Sequence, residues 1–423
     1  MIKYHPPPDY VVVESDLPGI EVYAPVPVPA GDHREVVPFK CPRCAATTAY
    51  SIPDGSLVCA HCGYRQSFAQ EAVGSRAEDF EFTVEVVERA GRGWNVERKE
   101  LVCQNCGAQT VVPADALAST CPFCASNRVI QRQAPQDVLR PRFLVPFKLA
   151  AEDVRSIARE WLGSSWMTPR ELRRAAVHAQ FSAIYLPAWT FSTGTRGEWT
   201  AEVGYEKKDR RGNRQLVWQR KSGSVRLEFD DTLMSGTSRI SPALLAQAWN
   251  FDLHDLTAYD PAYLAGLQAQ AYDVPLETAW ERARAQMREA VREAGRKQAL
   301  EPANAKQIRN YAVTVDFADE TWRYVLLPFH LAAYPHRGRS YQIVINGQTG
   351  SIAGQRPPDW TRVGLVAAVL LVTGPLLYLL SVTWLRQWFE QASTIACLAV
   401  VMTVVGIAAA LTLLRAASRL DDA

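Results

Sequence analysis

The chain has 423 residues, room for two or three domains, and 46 Lys/Arg against 44 Asp/Glu give it a net charge of only +2. Such a balance exerts no global pull toward nucleic acid or an anionic surface. Apolar residues make up 48% of the sequence, an ordinary globular share, but the C-terminal stretch beyond Val363 is nearly free of charge.

The opening, MIKYHPPPDYVVVESDLPG, has no basic segment leading into an apolar core. It does not read as a signal peptide, and a cytoplasmic N-terminus with reduced thiols is expected. Residues 1–35 include Pro6, Pro7, Pro8, Pro18, Pro25, Pro27 and Pro29, which forbid a helix and predict an extended, flexible arm.

Eight of the nine cysteines then fall in Cys-x-x-Cys pairs, and Cys397 stands alone far downstream. Cys41, Cys44, Cys59 and Cys62 have the same spacing as Cys103, Cys106, Cys121 and Cys124, which marks a duplicated module. In a reducing compartment such pairs are metal ligands rather than a disulfide framework. Each pair sets two sulfurs on one knuckle, and the intervening residues suffice for a hairpin that brings the second knuckle opposite. Two zinc ribbons are therefore predicted, over 36–70 and 103–132, each closing four thiolates around a structural Zn2+. Iron, in a rubredoxin-like site, is the competing metal. With all four positions filled by protein, neither site leaves room for a substrate. His61, inside a knuckle, reads as a surface residue. The linker 71–102 is acidic. In it Phe80, Phe82, Val84 and Val86 alternate with polar residues as a strand, and Ala90–Gly93 turns the chain into Trp94–Val102, so a hairpin is expected to join the two modules.

Residues 141–357 read as one α+β domain of helices and mostly antiparallel strands. Helices are expected over Leu149–Leu162, from Thr168-Pro169-Arg170-Glu171 onward, over Ser241–Asn250 and over Pro275–Leu300. Strands are expected over Ala183–Phe191, Glu198–Tyr205, Gln215–Arg220, Ser224–Phe229, Tyr311–Phe317, Thr321–Leu327 and Ser340–Ile345, the last closed by a tight turn at Asn346-Gly347. Lys207, Lys208, Arg210, Arg211 and Arg214 crowd a hairpin tip, read as a solvated turn with lipid contact as the alternative.

Val363–Leu385 and Ser393–Leu414 are apolar runs of more than the ~20 residues that cross a bilayer, with Trp360 and Trp384 at interface positions. They predict a two-helix transmembrane hairpin in a multi-pass inner-membrane protein. Arg356, Arg362, Arg415 and Arg419 flank one side and Arg386 alone the other, so residues 1–362 and the tail are expected in the cytoplasm.

Catalysis finds no footing. No phosphate-binding Gly-x4-Gly-Lys-Ser/Thr loop, His-Glu-x-x-His or Gly-x-Ser-x-Gly occurs, Asp230-Asp231 has no evident third ligand, and His178, His254, His330 and His336 are scattered. A non-enzymatic protein is expected. Between Val36 and Ile130 nine Lys/Arg face ten Asp/Glu, which argues against phosphate binding by the ribbons and favours protein contact.

Several segments in order carry a resemblance. They are Cys121-Pro122-Phe123-Cys124 through Val145-Pro146-Phe147, Tyr185-Leu186-Pro187-Ala188-Trp189-Thr190-Phe191, Tyr263-Leu264-Ala265-Gly266, Leu326-Leu327-Pro328, and Tyr341-Gln342-Ile343-Val344-Ile345-Asn346-Gly347-Gln348-Thr349-Gly350. With the terminal apolar runs, they resemble the bacterial membrane-anchored zinc-ribbon proteins of the YdjG type, often labelled TFIIB-type zinc-ribbon or primosomal helicase-like. The resemblance covers about residues 100–360, and the duplicated ribbon and proline-rich arm depart from it. It implies a scaffold that recruits SPFH-domain (flotillin-like) or phage-shock-A-like proteins to the membrane in envelope stress. The transmembrane helices offer a route to oligomers. The alternative function is a membrane-tethered protein that binds nucleic acid or the transcription or replication machinery.

Overall fold

A computed structural model of the chain describes residues 10–13, 22–25, 39–67, 72–74, 80–81, 93–94, 98–113, 120–134, 138–169, 172, 181–208, 214–302, 305–336, 339–383 and 392–422. In the proline-rich arm, β1 (Tyr10–Val13) and β2 (Val22–Pro25) pair antiparallel, so the described part of the expected extended arm is paired β-strand. The first cysteine module is a three-stranded sheet of β3 (Thr48–Ser51), β4 (Ser56–Cys59) and β5 (Arg65–Gln66). In the linker, β6 (Phe80–Glu81) carries the start of the predicted strand but pairs with Thr321 and Trp322 of the main domain, while Arg98–Cys103 pairs within the second module. The described part of the linker is therefore not the expected hairpin; residues 82–92 lie outside the described residues. The second module consists of β7 (Arg98–Cys103), β8 (Gln109–Pro113) and β9 (Val129–Gln133).

The main domain follows with β10 (Phe143–Leu144) and α1 (Ala151–Gly163), whose Val154, Ala158 and Leu162 are buried at helical spacing. The predicted helix after Thr168-Pro169 lies almost wholly outside the described residues. Two very long strands come next, β11 (Ser182–Lys208) and β12 (Arg214–Ser235). The rest comprises α2 (Pro242–Ala248), β13 (Thr257–Ala258), β14 (Gln268–Ala269), α3 (Leu276–Leu300), β15 (Ala305–His336), β16 (Arg339–Asn346) and β17 (Ile352–Gly354). The fold is α+β, with a mixed sheet and two N-terminal four-cysteine clusters.

Six of the strands expected from sequence merge into three. The backbone runs without a break through the glycines and the Asp and Asn residues between and beside the expected strands. Gly197 sits against Val291 of α3, and a Cβ on Gly223 would lie 2.6 Å from the Trp199 indole. These glycines make room for large side chains inside a continuous ribbon. Asp231, Asn310 and Asp319 have φ of 49°, 53° and 53° and fall where the β11–β12 and β11–β15 registers slip. They are bulge residues, of the types that best tolerate a left-handed backbone. Ala318-Asp319-Glu320 is therefore a bulge within β15.

β11 is hydrogen-bonded between β12 and β15 along most of its length, and α3 covers one face of this ribbon. At its base, the core gathers Trp189, Trp322, Tyr324 and Tyr185, all buried, with the Trp189 Nε1 donating to the Val274 carbonyl at 3.0 Å. The second cysteine module joins this sheet: β14 pairs with β11 on one side and β8 on the other.

Two apolar helices end the chain, α4 (Trp360–Thr383) and α5 (Ala392–Asp422). Asp359 caps α4: Thr361 Oγ1 and the Arg362 N–H both donate to its carboxylate. The Thr361 hydroxyl bond leads in holding that carboxyl below the usual carboxylate range. Gly374 lies against the Thr403 backbone and Gly406 against the Leu370 carbonyl, which makes the pair antiparallel and close-packed through small residues. Both helices are long and apolar enough to cross a membrane, and Leu365, Val369, Val372, Leu398, Val404 and Val405 are exposed on their outer faces. Trp384 lies outside the described residues.

Candidate metal centres

Each cysteine tetrad is built from two knuckles that share one backbone device. In each, the residue after the second cysteine takes a left-handed conformation and sends its N–H back to the carbonyl of the first. These residues are Ala45, Gly63, Gly107 and Ala125, with φ between 56° and 72° and N···O distances of 2.8–2.9 Å. The turn aims successive amides at sulfur: those of Cys62 and His61 at Cys59, and those of Cys106 and Asn105 at Cys103. Strands β3 and β4, and β7 with β8 and β9, then carry one knuckle to the other.

The result brings together all eight cysteines singled out from the sequence. In each tetrad the four Sγ atoms lie within 4.8 Å of one another. The cross pairs Cys41–Cys62 and Cys44–Cys59 are 3.5 Å apart, and Cys103–Cys124 and Cys106–Cys121 are 3.6 Å apart. A disulfide needs about 2.05 Å. Four thiolates at about 2.3 Å from a central ion are about 3.8 Å from each other in a tetrahedron. The donor set and spacing thus fit a four-coordinate cation, and each tetrad could hold a metal ion.

The thiols titrate unevenly at such close quarters. Cys59 is drawn down to about 6, chiefly by the Cys62 amide. For Cys44 the Ala46 amide pulls down, but burial and the three neighbouring thiols together hold it up at about 12. In the second tetrad burial opposes ionisation of Cys103, yet the Cys106 and Asn105 amides bring it to about 7. Burial pushes Cys106 up to about 11 and Cys121 higher still. A divalent cation would replace this uneven sharing by taking the sulfurs as thiolates.

Asn105 is a supporting residue that the sequence reading missed. Its Nδ2 approaches Cys124 Sγ at 3.6 Å, a contact between knuckles that no spacing rule reports. His61 is exposed, as expected of a residue outside the ligand set.

The two centres are seated differently. Cys103, Cys121 and Phe123 belong to the same apolar cluster as Ile184, Leu186 and Phe329 of the long strands. Gln342 of β16 donates to the Phe123 carbonyl at 2.8 Å, and Arg239 to that of Cys106 at 3.4 Å. The first module keeps its own sheet and docks by one edge. Tyr50 N–H donates to the Ala265 carbonyl at 2.9 Å, and its ring meets Tyr263 at 5.3 Å. Gly266, at φ 75°, fits against Ala49.

The acidic pair Asp230-Asp231 and the histidines His254 and His330 have structural partners. Asp231 accepts from the buried Arg323 at 2.6 Å, and Ser192 binds Asp230. His330 is buried with its Nε2 3.2 Å from the Leu149 carbonyl, and burial lowers its pKa to about 4. His254 bonds Asp252. His178 lies outside the described residues, as does the side chain of His336. The Asn346–Gly350 turn is a clasp: Asn346 Nδ2 donates to the Ala248 carbonyl and Gln348 holds both polar groups of the Asp252 backbone.

Over 329 residues the chain is 23% identical to the uncharacterized protein YdjG of Bacillus subtilis (strain 168), a match covering 76% of this chain and 90% of that one. No protein-family model and no solved structure matches the chain.

Proposed function

We propose that this protein is a non-enzymatic scaffold of the bacterial inner membrane, with two structural zinc ions on its cytoplasmic side. Helices α4 and α5 anchor it, and residues 1–362 and the C-terminal tail face the cytoplasm, in line with the arginines flanking that side. The cysteine modules and the α+β domain recruit protein partners, of the SPFH-domain or phage-shock-A-like kind by resemblance. Zinc is favoured over iron because it has no geometric preference of its own and suits closed four-thiolate sites. The observation that carries this reading is the docking of both cysteine modules on one α+β domain whose last strand, β17, is followed by an apolar helical pair.

The test is a gentle-detergent pull-down of the intact chain with mass spectrometry, alongside elemental analysis. Two zinc ions per chain and enrichment of SPFH-domain or phage-shock-A-like proteins are expected. Iron in the sites, or polymerase and replication proteins still retained after nuclease digestion of the lysate, would sink it.

A further inference from the structure

The net charge of +2 conceals a polar molecule. Residues 200–208, 214–222, 292–302 and 305–311 carry ten Lys/Arg and four Asp/Glu, a net of +6, so the rest of the chain is net negative. These segments form two groups, 200–222 and 292–311, far apart in sequence, and the fold brings them to one place. α3 runs along the ribbon toward its tip: Trp199 Nε1 donates to Gln298 at 2.7 Å, Tyr311 Oη to the Arg292 carbonyl at 2.9 Å, and Ala299 packs with Val203 and Ala305. The basic C-terminal turns of α3 (Arg292, Arg296, Lys297) therefore end beside the far end of β11, β12 and β15.

The shape of that end is specific. β15 pairs with β11 only as far as Ala305–Tyr205, whereas β12 continues through Glu206–Leu216, Lys207–Gln215 and Lys208–Arg214. The described ribbon thus narrows to two paired strands, with residues 209–213, Arg210 and Arg211 among them, outside the described residues; exposed Arg220, Lys221, Lys306 and Arg309 flank it one step back. Arg309 lies 4.1 Å over the Trp218 ring and 2.6 Å from Glu202, and Arg214 pairs with Glu206 at 3.1 Å. A two-stranded ribbon is a shape that the ~12 Å major groove of a duplex admits, and flanking cations then reach the phosphates on either side.

Topology argues against the bilayer entered by α4. β17 runs in the same sense as β15, from tip toward base, and Gln355 continues that pairing before α4 begins. The chain enters its apolar helices at the base. The tip lies about 85 Å away along the 27-residue β11, at ~3.3 Å per residue.

We infer that the distal end of the ribbon binds the phosphate backbone of double-stranded nucleic acid, independently of the cysteine modules. The test uses the full chain in nanodiscs of zwitterionic phosphatidylcholine and a fluorescein-labelled, mixed-sequence 24-base-pair DNA duplex, read by anisotropy. About five phosphate contacts would give a log–log salt slope of about −4.5, roughly a 500-fold weakening between 50 and 200 mM salt. Changing the exposed Lys207→Gln, Lys221→Gln and Lys306→Gln together should reduce the slope by about 3 while leaving metal content and thermal midpoint unchanged. No duplex binding at 50 mM salt, or an unchanged slope in the triple variant, overturns the inference. Tighter binding to phosphatidylglycerol vesicles than to the duplex also overturns it, in favour of a lipid surface.

Discussion

Four single residues decide whether the cysteine knuckles close. Gly63 and Gly107 occupy the left-handed position without cost, while Ala45 and Ala125 hold the same conformation with a Cβ. A Cβ on Gly63 would meet nothing within 4 Å, so its substitution reads the backbone term alone. Gly63→Ala should destabilise the first module by about 1 kcal/mol, and Ala45→Gly should stabilise it by up to about 1 kcal/mol. Rates of metal release to a chelator check both. A second single-residue effect is pH dependence through His330. Burial lowers its folded pKa to about 4 from 6.5, so the unfolded chain takes up the proton first as pH falls. The stabilisation is fully present above 6.5 and is lost as pH falls through about 4, a loss of about 3 kcal/mol at ~1.4 kcal/mol per unit. Denaturant midpoints between pH 7 and 4 should therefore fall, and His330→Gln should flatten that part of the profile. An unchanged slope in the variant would mean that other groups carry it.

At the scale of elements, the apolar pair α4 and α5 depends on close backbone approach. A Cβ on Gly406 would collide with the Leu370 carbonyl, which cannot move aside as a flexible side chain would. The same antiparallel register brings Ala367 and Ala410, both buried, to one level of the pair. Cysteines introduced as Ala367→Cys and Ala410→Cys should cross-link in membranes under mild oxidation. Adding Gly406→Leu should abolish the cross-link while leaving insertion intact. The sequence made the helices legible through length and composition, yet it gave no sign of which glycines face the partner. The ribbon shows the opposite limit. Local propensity alone would break strands at Gly197, Gly223, Asp231 and Asp319, whereas packing against Val291 and Trp199, and the bulged register, carry the strands through them.

For the whole molecule, the two metal centres should differ in what their loss does. Cys103 and Cys121 sit in the core of the main sheet, so their site and that sheet form one cooperative unit. The first module has its own sheet and docks through Tyr50 and Leu57. Structural zinc contributes on the order of 10 kcal/mol in apparent folding free energy to the unit that holds it. Cys121→Ser should therefore lower the global unfolding midpoint and open β14–β8 and β16 to hydrogen exchange. Cys59→Ser should expose residues 39–67 and leave β11 and β15 protected. Equal global loss in both variants would show that the first module is not a separate unit.

The sequence by itself determined the eight cysteines and their division into two tetrads, the two long apolar helices, the α+β class and the α3 stripe. Each of these is written in short-range spacing, which the local geometry of knuckles, helices and strands converts directly into structure. Only the tertiary structure decided that the second tetrad belongs to the main sheet and the first docks on it. It alone joined the strands into one long ribbon and gathered basic residues from two distant segments at the ribbon's far end. These are long-range facts, set by which surfaces bury each other, and no window of sequence contains both partners.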